Sequence, residues 1–192
     1  MPTLSLSFNG GKDCLLLLVL LLASLPQPTT HPLQTIYVPP SDPFPAVTTF
    51  VRDCVQTYHL HLVSYPLPMR QAFSAYIEEH PWIKGIFVGT RRTDPHGEKM
   101  RAFEETDGNW ARFTRINPVL EWEYDEVWKF LNWGKWKICE LYEHGYTSLG
   151  GVGDTIENPA LKVTEEDGRV WYKPAWDLED GNLERAGRGR SK

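Results

Sequence analysis

Paired cysteines are absent from this sequence. The three cysteines, Cys14, Cys54 and Cys139, are widely separated, and no CxxC spacing occurs. The sequence therefore gives no support to a zinc knuckle or to an iron–sulfur site. Three separated thiols are most simply interpreted as the reduced cysteines of a cytosolic protein.

An excess of basic charge is absent as well. The chain has 20 lysines and arginines against 25 aspartates and glutamates, which gives a net charge of −5. Proteins that bind nucleic acids in general present a basic face to the phosphate backbone, so we expect no nucleic-acid partner. An anionic ligand would have to be bound by local basic side chains and backbone N–H groups.

The chain also lacks an apolar run long enough to span a membrane. Its most apolar segment, 15–25, has about 11 residues, whereas a bilayer requires ~20. The position of this segment behind Lys12 resembles the apolar part of a signal peptide. The glycines and the aspartate directly before it are instead typical of a phosphate-binding loop. We therefore predict a buried helix and no membrane partner.

The first 88 residues contain an alternation of strand-like and helix-like segments. Such an alternation predicts an α/β fold with a parallel sheet and helices on both faces, which binds ligands at the carboxyl ends of its strands. The predicted strands cover 4–8, 33–38, 60–63 and 83–88, and the predicted helices cover 13–25, 44–58 and 70–79.

The second half of the chain has a different character. Residues 89–117 show little periodicity and are rich in arginine, aspartate, glycine and aromatic residues. A stretch of this length without regular structure is usually functional or disordered. Beyond it we predict a helix over 124–131, a short helix over 137–144 and a loop over 145–159.

The segment 7–14 carries the strongest chemical signal. Glycines between a strand and a helix let the backbone approach an anion, and the helix N-terminus attracts it. Lys12 supplies a charge for phosphate oxygens, and Asn9 and Asp13 carry the oxygen ligands that Mg²⁺ prefers. The glycines alone would indicate only a tight turn, but lysine and aspartate at these offsets favour phosphate binding. The motif reads Ser7, Phe8, Asn9, Gly10, Gly11, Lys12, Asp13 and Cys14.

This motif is not a Walker A loop, because GxxxxGK[ST] is absent. It resembles the SxGGKDS PP-loop of the N-type ATP pyrophosphatases, with Cys14 in place of the last serine. Together with four further motifs in order, it resembles the eukaryotic-type FAD synthetases, which are FMN adenylyltransferases related to phosphoadenylylsulfate reductases. The further motifs lie in 89–95, 107–110, 115–120, and 142–150 followed by 158–161.

The resemblance covers about residues 6–188 and implies both a fold and a reaction. The implied fold is the Rossmann-like PP-loop (adenine nucleotide alpha hydrolase-like) fold with an irregular C-terminal extension. The implied reaction is Mg²⁺-dependent and transfers AMP from ATP to the phosphate of FMN, giving FAD and pyrophosphate. A single domain over 1–192 would then contain a nucleotide-binding βα core over 1–88 and a flavin-binding and C-terminal part over 89–192.

The resemblance further implies an ATP site at the carboxyl edge of the sheet. Its catalytic residues would include Asn9, Asp13 and Asp94, with Asn9 and Asp13 holding Mg²⁺ directly or through water. Arg91 and Arg92 follow the fourth predicted strand and could neutralise phosphates there, although an Arg–Arg pair is also typical of a solvated turn. The expected ATP site comprises Ser7, Phe8, Asn9, Gly10, Gly11, Lys12, Asp13, Tyr37, Val38, Arg91 and Arg92.

The flavin is expected to bind at Asp94, Asp107, Trp110 and Arg115. An indole face can stack on the isoalloxazine ring, and a carboxylate can accept a hydrogen bond from the ring N–H. Arg115 can bind a polar flavin edge or the phosphate. Packing under a long loop is the alternative for Trp110.

Arg185 and Arg188, near the end of the chain, complete the predicted catalytic residues. Arginines of this kind stabilise the negative charge that develops in phosphoryl transfer. The alternative is a solvated basic tail.

Three other functions are alternatives to this one. A phosphoadenylylsulfate reductase needs a nucleophilic cysteine in a C-terminal tail, whereas no cysteine follows Cys139. Another PP-loop adenylating enzyme, such as an amidotransferase-type synthetase or a tRNA-thiolating enzyme, is the second, and a non-catalytic nucleotide- or flavin-binding module is the third. No amphipathic transit peptide is visible, so the cytoplasm is the expected location. A monomer is compatible with the sequence.

Overall fold

The structure, a computed structural model, describes residues 3–26 and 31–189. The chain forms two compact units. The expected single domain, with a nucleotide-binding core over 1–88 and a flavin-binding and C-terminal part over 89–192, stays a prediction. The first unit comprises Met1–Pro39 and Val51–Trp122, and the second comprises Pro40–Phe50 and Glu123–Lys192.

A six-stranded sheet forms the first unit. Its strands are β1 (Leu4–Ser7), β2 (Leu33–Tyr37), β3 (Leu60–Ser64), β4 (Gly85–Phe87), β5 (Phe103–Glu105) and β6 (Thr114–Ile116). Their order across the sheet is β3-β2-β1-β4-β6-β5, and all pairs are parallel except β5 with β6. The predicted parallel α/β sheet is confirmed.

Three helices follow the first three strands: α1 (Lys12–Ser24), α2 (Pro45–Thr57) and α3 (Met69–Glu79). A fourth, α4 (Tyr124–Gly134), belongs to the second unit and begins with a reciprocal cap between Glu123 and Glu126. No helix in the described part of the chain has both the length and the apolar character needed to cross a membrane.

The apolar run after the phosphate loop is a core helix. Leu15, Leu16, Leu17 and Leu18 in α1 are each at most 1% exposed. Four consecutive buried residues point in all directions around a helix, so α1 is enclosed on every side at this level. The prediction of a buried helix is confirmed.

The sheet is covered on both faces at β1. Ser5 Oγ lies 2.7 Å from Tyr76 Oη on α3, and Tyr76 packs with Ile36 and Ile86 in one apolar cluster. Side chains alternate across a strand, so Leu6, which is fully buried, points to the opposite face. Burial on both faces is typical of parallel strands.

The prediction that residues 89–117 lack regular structure is wrong in part. Residues 89–117 contain β5 and β6, whose three residues each are too few to produce a visible period. β6 is held by pairing with β4 on one side and β5 on the other. In the second unit, the helix expected over 137–144 is a 3₁₀ turn, Glu140–His144, and an unpredicted hairpin joins β7 (Lys162–Thr164) to β8 (Val170–Tyr172).

We expect Leu16→Ala to lower the free energy of unfolding by about 2–5 kcal/mol, because it leaves a cavity in the core where the Leu16 side chain packs. Leu67→Ala, at a leucine that is 42% exposed, should cost less than about 1 kcal/mol. Urea unfolding of both variants measures the difference. Equal losses would show that α1 is not enclosed as described.

Candidate active site

The phosphate loop turns from β1 into α1 through a short hydrogen-bonded path. Phe8 N donates to Ile36 O at 2.9 Å, which ties the end of β1 to β2. Gly10 has a φ of 78°, a conformation that favours glycine. Gly11 N donates to Asn9 Oδ1 at 2.9 Å. The Asn9 side chain therefore shapes the turn from within.

Asp13, in the first turn of α1, lies between two cations. Lys12 Nζ is 2.9 Å from Asp13 Oδ2, and Arg91 Nε is 2.8 Å from Asp13 Oδ1. The side chains of Lys12 and Arg91 are only 2% and 0% exposed, and that of Asp13 is 17% exposed. Charges so far removed from water require partners of opposite sign, so the three side chains form one interdependent cluster.

The loop after β4 brings Arg91 and Asp94 to this cluster. A Cβ at Gly89 would lie 3.1 Å from both Asp13 C and Cys14 N, so a glycine permits this close approach of two backbones. Arg91 N donates to Asp94 Oδ2 at 2.9 Å, and Asp94 N donates to Arg91 O at 3.1 Å. Asn9, Asp13 and Asp94 therefore lie near one another at the carboxyl edge of the sheet, and their catalytic role stays a prediction.

Cys14 joins the two loops. Backbone N–H groups of Asn9 and Gly89 donate to its sulfur. Burial, and then the charge of Asp13, raises the pKa of the Cys14 thiol to about 12. A thiol with a raised pKa is mostly protonated at neutral pH and is therefore a weak nucleophile.

The Arg92 side chain binds Glu121 and the backbone of its own loop. Its Nε donates to Glu121 Oε1 at 3.0 Å, and its Nη1 donates to Glu98 O at 3.1 Å and to Met100 O at 2.6 Å. These contacts close the loop over 92–100. Phosphate binding by Arg92 stays a prediction.

Tyr37 and Val38 lie at the carboxyl end of β2. Tyr37 O accepts from Tyr65 N at 2.9 Å, and burial raises the pKa of the Tyr37 phenol. Within the described residues, the Tyr37 hydroxyl has no hydrogen-bond partner. Val38 is half-buried against the apolar cluster under α3. Their contact with ATP stays a prediction.

Of the four predicted flavin residues, Trp110 and Arg115 lie on the face covered by α3, Asp107 lies in the loop between β5 and β6, and Asp94 lies against Arg91. Trp110 is half-buried and packs edge-on against Phe73 of α3, with ring centres 6.0 Å apart. Arg70 Cζ lies 5.9 Å from the centre of the Trp110 ring, within cation–π distance. Thr106 Oγ1 donates to Ala111 O at 2.6 Å and so closes the loop that presents exposed Asp107.

Arg115 lies on β6, directly opposite Glu104 of β5. Its Nη2 is 3.7 Å from Glu104 Oε2. In the described part of the chain, Arg115 Nε and Glu104 Oε2 are buried without a hydrogen-bond partner. Arg115 also pairs with Ile86 in the register of β4 and β6, which places it on the α3 face.

Arg188 is ordered within the second unit. Its Nη1 donates to Leu149 O at 2.6 Å, and its Nη2 lies 3.4 Å from Asp154 Oδ2. The guanidinium occupies the space that a Cβ at Gly150 would need. Arg185 is half-buried, and its carbonyl accepts from Arg188 N at 2.9 Å. Arg188 therefore does not lie in a purely solvated tail.

Several residues of the site were missed by sequence reasoning. Gly89 makes room for α1, Arg70 covers Trp110, Glu104 faces Arg115 and Glu121 pairs with Arg92. Glu104 could have been found only from the strand register, because it lies in a strand of three residues. Gly89 was visible in its motif, but its contact with α1 depends on tertiary packing.

We expect the native protein to be nearly unreactive toward a thiol reagent at neutral pH, because its three cysteines are buried and reduced. Burial raises the pKa of Cys14 to about 12 and that of Cys139 to about 11, which further lowers the fraction of reactive thiolate. Titration with a chromogenic disulfide before and after unfolding in guanidinium measures the difference. Rapid labelling of native Cys14, identified by mass spectrometry, would contradict the described burial.

Comparisons with known proteins show the family to which the chain belongs. A family model described as phosphoadenosine phosphosulfate reductase domain matches residues 3–157. A probable FAD synthase of Schizosaccharomyces pombe is 46% identical over 98% of this chain and 72% of that protein. A probable FAD synthase of Caenorhabditis elegans is 38% identical over 96% of this chain, which spans only 36% of that protein.

A solved structure matches almost the whole chain. The crystal structure of Candida glabrata FMN adenylyltransferase in complex with FMN and the ATP analog AMPCPP superposes with a TM-score of 0.90 at 32% identity. The match covers 97% of this chain and 81% of that chain. This chain therefore belongs to the phosphoadenosine phosphosulfate reductase domain family and, within it, to the FAD synthases, as its ordered motifs predicted.

Proposed function

We propose that this chain is an FMN adenylyltransferase, a nucleotidyltransferase that transfers AMP from ATP to the phosphate of FMN and releases FAD and pyrophosphate. Its identity of 46% to a probable FAD synthase supports the proposal, as does its similarity to the enzyme bound to FMN and AMPCPP. The observation that carries it is that residues predicted for the nucleotide and for the flavin lie in one compact unit. Asp13 on α1 represents the nucleotide half, and Arg115 on β6 the flavin half.

The reaction needs no nucleophile from the protein. An oxygen of the FMN phosphate attacks the α-phosphorus of ATP, and the bond from that phosphorus to the bridging oxygen of the β-phosphate breaks. Pyrophosphate leaves with the electron pair. Catalysis then comes from orientation of the two substrates and from stabilisation of charge. This agrees with the protonated state of the Cys14 thiol.

The phosphates of ATP are proposed to bind at the first turn of α1. The free N–H groups and the dipole of a helix N-terminus attract anions. Gly10 and Gly11 allow the phosphates to approach the backbone, and Lys12 is the basic side chain at this helix start. Lys12 Nζ now lies against Asp13, and binding of a phosphate would give it a second anionic partner.

The isoalloxazine ring of FMN is proposed to bind near Trp110, with its polar edge toward Arg115. Arg115 Nε and Glu104 Oε2 are buried without hydrogen bonds in the described part of the chain. Buried polar atoms without hydrogen bonds are costly. A ligand that offers an acceptor to Arg115 Nε and a donor to Glu104 Oε2 would remove that cost. Asp107 and Asp94 remain the proposed acidic groups at the flavin.

Mg²⁺ dependence stays a prediction, and the protein groups expected to hold the ion do not fit direct ligation as they stand. The Asp13 oxygens are 2.9 and 2.8 Å from cationic nitrogens, and Asn9 Oδ1 accepts from Gly11 N. Among the described residues, no group of three or more histidines, cysteines, aspartates or glutamates could hold a metal. Mg²⁺ commonly keeps water and substrate phosphates as ligands.

Arg185 and Arg188 stay the proposed arginines that stabilise developing charge. Arg188 would have to exchange its contacts with Leu149 and Asp154 for a phosphate. Location in the cytoplasm and a monomeric state are likewise predictions.

We expect purified protein with MgATP and FMN to form FAD and pyrophosphate in equal amounts, as resolved by chromatography. Asp94→Asn should lower kcat by about 100-fold or more, the scale of losing one catalytic contact. Glu98→Gln, at an exposed carboxylate in the same loop, is the matched control and should retain activity.

Tight ATP binding without any FAD would indicate a different acceptor or a non-catalytic module. Near-normal turnover by Asp94→Asn would exclude the catalytic role of Asp94 while leaving the proposed reaction intact.

We expect Glu104→Gln to weaken FMN binding about tenfold, because the countercharge opposite Arg115 is lost. The KM for ATP should stay unchanged. Glu105→Gln is the control: Glu105 lies on the same strand and accepts from Thr114 Oγ1 at 2.6 Å, away from Arg115. Quenching of FMN fluorescence measures binding directly. If the two variants bind FMN equally, Glu104 has no part in orienting Arg115.

A further inference from the structure

Arg91 has the largest fully buried side chain among the described residues. The sequence predicts Arg91 among the ligands of the ATP phosphates. The Arg91 side chain is 0% exposed. A guanidinium remains charged when buried and is costly there without partners, so its contacts within the protein are the guide to its role.

Two of those contacts are with the carboxylates predicted to be catalytic. Arg91 Nε lies 2.8 Å from Asp13 Oδ1. The backbone N–H of Arg91 donates to Asp94 Oδ2 at 2.9 Å, and Asp94 N donates back to Arg91 O at 3.1 Å. One residue thus joins a carboxylate on α1 to a carboxylate on the loop after β4.

The backbone around Arg91 is packed tightly enough to fix this geometry. A Cβ at Gly97 would lie 2.1 Å from Arg91 O, and a Cβ at Gly89 would lie 3.1 Å from Cys14 N. Gly97 N also donates to Asp94 O at 2.8 Å. The loop therefore holds the Arg91 backbone in one path, from which its side chain reaches inward to Asp13.

We propose that Arg91 is a positioning residue, which acts through Asp13 and Asp94 and makes no contact with the ATP phosphates. Its guanidinium orients the Asp13 carboxylate, and its backbone orients the Asp94 carboxylate. Lys12, which is also buried and paired with Asp13, stays the basic side chain proposed for the phosphates, because it lies in the first turn of α1. This role rests on the proposed function, because Asp13 and Asp94 matter to turnover only if the chain transfers AMP.

A double-variant cycle in the full chain tests the proposal. Arg91→Met should lower kcat for FAD formation about tenfold or more, while the KM for ATP and the Kd for AMPCPP change less than about threefold. With Asp13→Asn already present, adding Arg91→Met should lower kcat less than about twofold further, because residues that act as a unit are not additive. Calorimetry with AMPCPP alone gives the Kd.

A direct phosphate contact predicts a different result. Arg91→Met would then weaken AMPCPP binding about tenfold or more, with or without Asp13→Asn, because a charge-assisted hydrogen bond is lost. That result would overturn the proposal. A purely structural role would lower the Tm and leave kcat per folded molecule unchanged, which would overturn it as well.

Removal of a buried cation can prevent folding. In that case the comparison uses Asp13→Asn against Asp13→Asn with Arg91→Met, since the double variant removes both charges of the pair. Equal AMPCPP affinity supports the positioning role, and a tenfold weaker affinity of the double variant contradicts it. Arg101→Met, at an exposed arginine of the same unit, is the matched control and should change neither affinity nor kcat.

The binding measurements also separate this inference from the proposed function. Wild-type protein that binds AMPCPP but forms no FAD contradicts the proposed function, whereas the AMPCPP cycle still decides whether Arg91 contacts phosphate. Wild-type protein that does not bind AMPCPP contradicts both.

Discussion

The nucleotide end of this protein depends on the buried ion pair between Arg91 and Asp13. The pair joins the first turn of α1 to the loop after β4, and Gly89 lets the two backbones come within contact distance. Because breaking a buried ion pair is costly, this contact favours one relative position of the loop and the helix start. Asp94 is then placed by the Arg91 backbone. The geometry of the site therefore follows from one interaction between distant parts of the chain.

The proposed flavin side depends on a constraint of another kind, the register of two very short strands. Pairing of β5 with β6 sets Glu104 opposite Arg115, and pairing of β6 with β4 sets Arg115 on the α3 face. Trp110 packs against α3 on the same face. A slip of one residue would turn every side chain of a strand to the other face. This side of the site thus depends on backbone pairing more than on any single contact.

Much of the fold and the family could be predicted, because their signals are local. A glycine-rich turn between an alternating strand and an apolar helix is a property of consecutive residues, and so is the order of strands and helices in the first 88 residues. β5 and β6 could not be predicted in this way. Three residues are too few to show a period, and both strands are held by partners that are distant in sequence.

The sequence by itself determined the phosphate loop, the buried helix behind it, the parallel α/β fold and membership of the FAD synthase family. It also supplied the two neighbouring arginines, but it could not distinguish them. Only the tertiary structure decided that Arg91 turns inward to Asp13 while Arg92 turns to Glu121 and its own loop. The physical reason is that burial and charge pairing depend on which distant residues meet in space, and adjacent residues of the same type carry no information about that.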